Sequence, residues 1–390
     1  MATRNLLVAH GGGPTAVINA SLAGVLREAS RQKSVGRVFA ARGGIEGVLK
    51  GDLMEIGGLG RRELELLKRT PSSAIGSCRY KVGEGDYEAI AKVLHSFGIG
   101  YFLYTGGNDS MDTCLKLAER APDCLVAGVP KTIDNDLAGT DHSPGFGSAA
   151  RYIAVSTAEL CLDIRALNIQ ISVLEVMGRN AGWLAAAASL ARSLDPGFPA
   201  MILAPERPFD EEAFLGEVQK RWKAGGGFVV VASEGLTDPT GTALGAEGGK
   251  ESVDAFGHAL PGGVALYLAS LIRRRLGVRA RSEKPGLLGR ASRSLVSEVD
   301  LDEAELSGIE SVRGLCEGQS GFMVGFKRVS SAPYQIAAAR VDLHSVANVE
   351  RKLPTAYITS DGMNVTPEFD TYCRPLIGAD PLADYWLLRR

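Results

Sequence analysis

The sequence has few of the residues that mark disulfide-bonded, zinc-binding or membrane proteins. Its 390 residues include six cysteines and five histidines, and no two cysteines form a C-x-x-C pair. This usage is typical of reduced thiols in a cytosolic protein rather than of a disulfide framework or a zinc site. No apolar stretch approaches the ~20 residues of a membrane span, and the apolar run near the start is too short for a signal peptide. We therefore expect a cytoplasmic protein that does not bind a membrane.

An excess of charge of one sign is also missing. Lys and Arg total 43 and Asp and Glu total 45, so the net charge is −2 at pH 7. This balance argues against a general nucleic-acid binder. The H-E-x-x-H and G-x-S-x-G motifs are absent, which gives no support to zinc peptidase or serine hydrolase chemistry. Glycine, in contrast, is frequent, with 48 of 390 residues, about 12% against a usual ~7%. The chain therefore needs many tight turns and close backbone approaches.

Short apolar runs that end in glycine or polar turns alternate with helical patterns along the chain. Leu6–His10 precedes three glycines and a helical pattern over residues 16–31, and Gly100–Thr105 precedes a similar loop and helix. The pattern restarts at Ile169–Val176. Strands that alternate with helices at this spacing predict parallel β-α-β units. We therefore predict an α/β protein with two lobes and mainly parallel sheets, in which ligands bind beyond the carboxyl ends of the strands.

Three polar loops in the first half contain residues suited to phosphate or a metal. Residues 11–15, GGGPT, lie between a strand and a helix, where backbone N–H groups favour an anion. The alternative for this first loop is a tight turn without a ligand. The loop matches neither G-x-x-x-x-G-K-[ST] nor G-x-G-x-x-G, which argues against an ATP P-loop and a dinucleotide fingerprint. In TGGNDSMD, from Thr105, Asn108 and Asp109 offer the oxygen ligands that Mg²⁺ prefers. The alternative for this second loop is that Asp109 or Ser110 caps the next helix.

The third loop is PKTIDND, which begins at Pro130 and contains Lys131, Asp134 and Asp136. A positioned aspartate can accept a proton from a hydroxyl group, and Lys131 can stabilise negative charge on a phosphate. The alternative is a solvated charged turn, which Asn and Asp favour. The loop is therefore a candidate for proton transfer beside a phosphate.

Three segments of the second half complete the candidate site. Arg179 follows a strand in the sequence MGR and is suited to bidentate phosphate contact. Glu234, in SEG, is suited to holding a sugar hydroxyl or capping a helix, and Arg281 and Arg290 either clamp a second phosphate or face solvent. Together the six segments describe two phosphate-binding ends, a carboxylate between them and an oxygen-rich metal corner. This combination is typical of phosphoryl transfer, in which catalysis consists of positioning and charge stabilisation.

The order of these motifs resembles that of the phosphofructokinase family. The matches run from about residue 5 to residue 300 and comprise GGGPTAVINA, GGNDS, PKTIDND, EVMGRNAGW and SEG. The resemblance implies two Rossmann-like lobes with the active site in the cleft between them. It also implies Mg²⁺-dependent phosphoryl transfer to the 1-hydroxyl of fructose 6-phosphate, giving fructose 1,6-bisphosphate, in glycolysis or gluconeogenesis. A homodimer or homotetramer is the implied assembly.

The resemblance also implies a division of labour along the chain. Residues 1–165 would bind the phosphoryl donor and Mg²⁺, residues 166–310 would bind the sugar phosphate, and residues 311–390 would pack back on the lobes. Asp134 would be the general base, and Lys131, Asp109 and Arg179 would complete the catalytic set. The further implied contacts are Gly13, Arg79, Gly107 and Ser110 for the phosphoryl donor, Asn108 and Asp109 for the metal, and Thr132, Asp136, Met177, Gly178, Arg179, Glu234, Arg281 and Arg290 for the sugar phosphate.

Two positions within the motifs bear on which phosphoryl donor is used. Family members that use ATP typically have GGDGS and PGTIDND, whereas this chain has Asp109 and Lys131 at the corresponding glycine positions. A carboxylate at Asp109 would repel the α-phosphate of ATP, and Lys131 would neutralise pyrophosphate, so one like-charge contact rejects the wrong donor. This pair is the signature of the pyrophosphate-dependent branch, whose reaction is readily reversible.

Two alternatives to a pyrophosphate-dependent enzyme remain, one of them an enzyme with another donor and the other a protein without catalytic activity. The first is an ATP-dependent phosphofructokinase, and the second is a non-catalytic sugar-phosphate-binding regulatory relative, against which the presence of Asp134 argues. Sedoheptulose 7-phosphate is a further candidate acceptor.

Overall fold

A computed structural model describes residues 3–245 and 263–388 of the chain. The three predicted ranges, 1–165, 166–310 and 311–390, also include some residues outside this description. These are residues 1–2, 246–262 and 389–390. The described residues form two compact units. The first unit contains residues 3–146 and 290–351, and the second contains residues 147–245, 263–289 and 352–388.

Helices and strands alternate through most of the described chain. The strands are β1 (Arg4–His10), β2 (Val35–Ala41), β3 (Leu53–Glu55), β4 (Ile99–Gly106), β5 (Leu125–Pro130), β6 (Ile171–Val176), β7 (Met201–Leu203), β8 (Val229–Ser233), β9 (Ala280–Glu283), β10 (Phe322–Ser331) and β11 (Tyr334–Asp342). The α-helices are α1 (Ile18–Ala29), α2 (Ile45–Leu49), α3 (Arg61–Arg69), α4 (Asp86–Ser96), α5 (Asn108–Arg120), α6 (Phe146–Ala166), α7 (Trp183–Ala187), α8 (Glu211–Gly225), α9 (Val264–Leu276), α10 (Leu287–Ala291), α11 (Glu298–Cys316) and α12 (Pro367–Cys373).

Each unit is built on one sheet. The first has the strand order β11-β10-β5-β4-β1-β2-β3, in which β10, β5, β4, β1 and β2 are parallel, and β3 and β11 are antiparallel edge strands. The second has the order β7-β8-β6-β9 and is parallel throughout. The prediction of an α/β fold with two mainly parallel sheets is therefore confirmed.

The sheet of the first unit is covered on both faces, because successive residues of a strand point to opposite sides. In β1, Leu6 and Val8 pack with Leu22 of α1, whereas Leu7 packs with Ile90 of α4. All of these side chains are buried. Apolar residues at every position of such a strand are what a doubly covered parallel sheet requires, and they explain the uninterrupted apolar runs in the sequence.

The boundaries of the two units differ from the three predicted ranges. After β9 the chain returns to the first unit, where α11 packs on α1 and β10 pairs with β5. The predicted C-terminal range is divided, since residues 311–351 belong to the first unit and residues 352–388 to the second. Local sequence patterns do not reveal this return, because it depends on pairing between distant strands. What each range binds stays a prediction. Among the described residues, no helix combines the length and apolar character needed to span a bilayer.

Candidate active site

The three polar loops of the first unit leave its sheet at one edge. His10 of β1 lies opposite Thr105 of β4, and Gly106 lies opposite Pro130 of β5. The strands are parallel, so the loops that follow β1, β4 and β5 are neighbours in space. The backbone N–H of Lys131 donates to the carbonyl of Gly106, which joins two of these loops directly at 3.0 Å.

Two cations lie against the glycine loop. The ammonium group of Lys131 donates to the carbonyl oxygen of Gly13 at 2.8 Å, and the guanidinium of Arg290 lies so close to Gly13 that any side chain there would collide with it. A side chain at Gly13 would therefore force the guanidinium of Arg290 to move away. α1 begins at Ile18, two residues later than the helical pattern from residue 16, so residues 16 and 17 separate the predicted loop from the helix N-terminus.

The electrostatics around Lys131 are those of an anion-binding site. Burial, together with the nearby charge of Arg290, lowers the pKa of Lys131 to about 8, against the opposing effect of Asp134 and Asp136. Burial and the charge of Arg79 likewise lower the pKa of Arg290. Lys131, Arg290 and Arg79 therefore repel one another electrostatically, and a bound polyanion would reduce this repulsion. Arg79 is itself exposed, and it follows Cys78, whose carbonyl accepts a hydrogen bond from the N–H of Gly12.

Asn108 and Asp136 form the oxygen-rich part of the site. The amide Nδ2 of Asn108 donates to Oδ2 of Asp136 at 3.0 Å. The remaining oxygens, Oδ1 of Asn108 and Oδ1 of Asp136, are buried and have no hydrogen-bond partner among the described residues. Buried polar atoms normally have partners, and oxygen atoms are the ligands that Mg²⁺ prefers. Asp109, the other residue predicted to contact a metal, is exposed in the first turn of α5.

The described residues contain no cluster of three or more His, Cys, Asp and Glu side chains that could hold a metal. The two buried oxygens would therefore need oxygens of a ligand or water to complete the coordination of a cation.

The GGNDS loop does not use Asp109 or Ser110 as the helix cap. Gly107 is the N-cap of α5, with no side-chain cap hydrogen bond. The hydroxyl of Ser110 is buried so close to Gly11 and Gly106 that neither could carry a side chain. Ser110 therefore has a packing role between two loops, and its contact with a phosphoryl donor stays a prediction. A side chain at Gly107 would make only ordinary contact with neighbouring protein atoms, at 3.8 Å, so the protein leaves open space there.

A left-handed residue separates the two aspartates of the third loop. Asn135 has a φ of 56°, which asparagine tolerates better than most residues, and its Oδ1 accepts from the N–H of Ser143 at 3.0 Å. The hydroxyl of Thr132 accepts from the N–H of Asp134 at 3.0 Å. Thr132 therefore shapes the turn that presents Asp134.

The second unit brings the MGR and SEG segments together. Val176 of β6 lies opposite Ser233 of β8, so both segments follow paired strand ends. Arg179 has a φ of 48°, and its carbonyl lies so close to Gly235 that a side chain at Gly235 would collide with it. The glycine of SEG is thus explained by this close backbone approach.

Glu234 is held against the same turn. Its Oε1 accepts from the N–H of Gly178 at 3.3 Å and from the N–H of Arg179 at 3.4 Å, and burial raises its pKa. Glu234 therefore fixes the backbone of the MGR turn, a role that the sequence did not predict. Its contact with sugar hydroxyls stays a prediction. Met177, the first residue of this turn, is partly buried.

The two arginines predicted to act as a pair belong to different units. Arg290 lies beside Gly13 in the first unit, whereas Arg281 lies on β9 in the second. Arg281 is exposed and forms an ion pair with Glu283 at 3.5 Å. The surroundings of Arg290 therefore favour a role with the residues predicted to bind the phosphoryl donor, and its contact with a sugar phosphate stays a prediction.

Reasoning from the sequence did not single out Glu175. This buried residue of β6 forms an ion pair with Lys284 at 2.5 Å and accepts from the N–H of Ala265, near the start of α9, at 3.0 Å. The sequence signal that could have identified Glu175 is its position at the start of the EVMGRNAGW motif, two residues before Met177. Glu175 connects the strand that carries the MGR turn to α9.

Comparison with known proteins adds an independent set of observations. The family model named Phosphofructokinase matches residues 5–297. The chain is 43% identical to the pyrophosphate–fructose 6-phosphate 1-phosphotransferase of Xanthomonas campestris pv. campestris (strain B100), over 98% of this chain and 94% of the relative. It is 42% identical to the protein of the same name from Methylococcus capsulatus, over 99% and 94%. A crystal structure of the pyrophosphate-dependent phosphofructokinase from Nitrosospira multiformis matches with a TM-score of 0.88 and 40% identity, over 99% of this chain and 96% of that chain.

Proposed function

The chain belongs to the phosphofructokinase family, and we propose that it transfers a phosphoryl group reversibly from pyrophosphate to the 1-hydroxyl of fructose 6-phosphate. The products are fructose 1,6-bisphosphate and phosphate, so the reaction belongs to glycolysis or gluconeogenesis. Two relatives more than 40% identical over nearly the whole chain bear the name of this activity, which supports the proposal.

The observation that carries the choice of donor is the position of Lys131. Its ammonium group is buried against the carbonyl of Gly13, close to two arginines. A compact polyanion such as pyrophosphate matches this concentration of positive charge, and Asp109 at the first turn of α5 would repel an additional α-phosphate.

In the proposed reaction, Asp134 accepts the proton of the 1-hydroxyl as its oxygen attacks the nearer phosphorus of pyrophosphate. The bond from that phosphorus to the bridging oxygen breaks, and the bonding electron pair leaves with the departing phosphate. Lys131 and Arg290 stabilise the charge that develops on the departing group. Thr132 orients the turn that carries Asp134 through its hydrogen bond to the Asp134 N–H.

Mg²⁺ is the proposed cofactor, and the buried oxygens Oδ1 of Asn108 and Oδ1 of Asp136 would hold it. Bound there with oxygens of pyrophosphate and water, the ion would neutralise part of the negative charge of the substrate. Asn108 supplies a neutral oxygen, so Asp136 would be the charged protein ligand.

The second unit would bind fructose 6-phosphate through Arg179, Glu234 and Arg281, and the first would bind pyrophosphate. Arg179 and Arg281 supply guanidinium groups suited to phosphate, and Glu234 supplies a carboxylate for sugar hydroxyls. The proposal includes a homodimer or homotetramer in the cytoplasm, both inferred from the family.

The deciding experiment is a coupled assay of fructose 1,6-bisphosphate formation by the purified protein with Mg²⁺, supplied with either pyrophosphate or ATP. We expect turnover with pyrophosphate and little with ATP. Turnover with ATP alone would contradict the argument from Lys131 and Asp109, and inactivity with both donors would contradict the proposed reaction. The same assay with sedoheptulose 7-phosphate, read by phosphate release, tests whether it is a second acceptor.

A further inference from the structure

We propose that Arg351 is a positioning residue for this reaction: its side chain holds the loop that carries Asp134 and Asp136 in its working conformation. The inference rests on the proposed function and extends it to a residue outside the part of the chain matched by the family model, which ends at residue 297. Arg351 follows β11 in the first unit, the same unit as the loop.

The guanidinium of Arg351 contacts both ends of the turn that follows Asp134. Its Nε donates to the carbonyl of Asn135 at 3.2 Å, and its Nη1 donates to the carbonyls of Thr140 and Asp141 at 2.7 and 2.5 Å. The backbone N–H of Arg351 donates to the carbonyl of Asp136 at 2.7 Å. One residue thus ties together four backbone carbonyls of a single loop.

These contacts lie beside a residue of the loop with left-handed backbone geometry. Asn135 is in the left-handed region, a conformation that persists only when the surroundings determine it. The three carbonyls that converge on the guanidinium are not paired in a strand or helix, and backbone carbonyls away from water need donors. Arginine suits this place because its planar group offers several donors in a rigid arrangement, whereas lysine offers one compact charge.

The chemical consequence follows from the residues on either side of Asn135. Asp134 is the proposed base, and Asp136 shares the Asn108 amide at the proposed metal corner. A change in the backbone at Asn135 would move both carboxylates relative to Lys131, which is anchored separately on Gly13. Because misplacing a reacting group by ~1 Å can cost ~10²-fold in rate, loss of Arg351 should lower kcat.

The test compares Arg351→Ala and Arg351→Lys with Arg340→Ala. Arg340 lies on β11, and its guanidinium pairs with Glu317 and Gln319 instead of the loop, so it controls for loss of an arginine from the same segment. We expect kcat of the Arg351→Ala variant to fall by about 100-fold, with a smaller change in KM for fructose 6-phosphate. Arg351→Lys should remain impaired, and Arg340→Ala should keep wild-type kcat.

Two readouts separate positioning from general destabilisation. Millimolar guanidinium chloride should restore part of the lost kcat in Arg351→Ala but not stimulate Arg340→Ala or the wild type, and urea at the same concentration should not restore it. Hydrogen–deuterium exchange of residues 134–141 should be faster in Arg351→Ala than in Arg340→Ala, a result that does not depend on activity. If Arg351→Ala does not fold, the exchange and kcat comparisons are made on Arg351→Lys.

Wild-type kcat in the Arg351 variants, or unchanged exchange in a folded variant, would overturn the proposal. An inactive wild-type protein would instead contradict the proposed function, and the exchange measurement would still decide whether Arg351 holds the loop.

Discussion

Lys131 is the side chain whose surroundings bear most directly on the phosphoryl donor. It is buried, its ammonium is anchored on the carbonyl of Gly13, and its pKa is lowered to about 8 by burial and by Arg290. The free protein therefore holds positive charges close together at a cost in free energy. A bound polyanion would offset that cost, so we expect occupancy of the site to stabilise the loop.

Exchanging the two residues proposed to distinguish the donors, Asp109 and Lys131, should change donor preference. In the Asp109→Gly, Lys131→Gly double variant we expect kcat/KM for pyrophosphate to fall by ~10²–10³-fold, because a charge-stabilising group is lost. We expect kcat/KM for ATP to rise, because the repelling carboxylate is gone. The single Asp109→Gly variant is the matched control, since it retains Lys131. An unchanged ratio of the two kcat/KM values in the double variant would contradict the role of this pair.

Asp134 carries the proton transfer in the proposed reaction. Asp134→Asn keeps the size of the side chain but removes its ability to accept a proton, so kcat should fall by ~10²–10⁴-fold. Binding of fructose 6-phosphate, measured by calorimetry, should be retained. A variant with near wild-type turnover would show that another group is the base.

The Asp136→Asn variant tests the proposed metal site, because it removes the charged protein ligand. We expect this variant to need a higher Mg²⁺ concentration for its half-maximal rate.

At the scale of elements, the packing of α11 on α1 depends on two glycines. A side chain at Gly308 would collide with the carbonyl of Ser21, and one at Gly24 would collide with the carbonyl of Glu305. The two helix backbones are therefore in direct contact. This contact holds α11 on the first unit, where its residue Asp300 accepts from the N–H of Gly145 at 2.8 Å.

Gly308→Ala should lower the free energy of unfolding, because the added methyl group must push the helices apart. A loss of ~1–3 kcal/mol is expected for overpacking of this kind, measured by urea unfolding. Gly216→Ala in α8 is the matched control, since a side chain there has nothing within 4 Å and alanine is the better helix former by up to ~1 kcal/mol. Equal effects of the two substitutions would contradict the proposed backbone contact.

At the scale of the whole molecule, a buried charge network links distant parts of the first unit. His142 contacts Asp141 at 2.9 Å and Glu303 of α11 at 2.6 Å, and the hydroxyl of Tyr334 on β11 donates to Glu303 at 2.6 Å. Arg328 of β10 donates to Asp141 at 2.9 Å. Burial opposes the charged imidazole, but the two carboxylates outweigh burial and raise the pKa of His142 to about 9.

This network makes stability depend on pH. The pKa of His142 is higher in the folded protein, at about 9, than its ordinary value of 6.5. The stabilisation is therefore fully present below pH 6.5 and is lost as the pH rises through 9. The difference in free energy of unfolding between wild type and His142→Gln, measured in urea, should shrink over this range. Lys131 has a lowered pKa, so its own contribution to stability rises with pH. That contribution is present in both proteins and cancels when the two free energies of unfolding are subtracted. A difference independent of pH would contradict the charged imidazole.

The fold class and the loops that form the candidate site are predictable from the sequence alone. The apolar runs Leu6–His10, Gly100–Thr105 and Ile169–Val176 predict strands, and β1, β4 and β6 cover almost the same residues. The periodicity of a strand or helix depends on residues that are near neighbours in the chain, and the spacing of motifs is a property of the sequence. Both can therefore be recognised from the sequence alone. That loops after parallel strands meet at one edge follows from the same pattern.

Which side chains meet within each unit depends on the tertiary structure. It placed Arg290 on Gly13, paired Asn108 with Asp136, and brought Arg351 to a loop 216 positions earlier in the chain at Asn135. It also returned α11, β10 and β11 to the first unit. These contacts depend on strand pairing and helix packing between segments far apart in sequence, where no local periodicity operates, and on close approaches that single glycines permit.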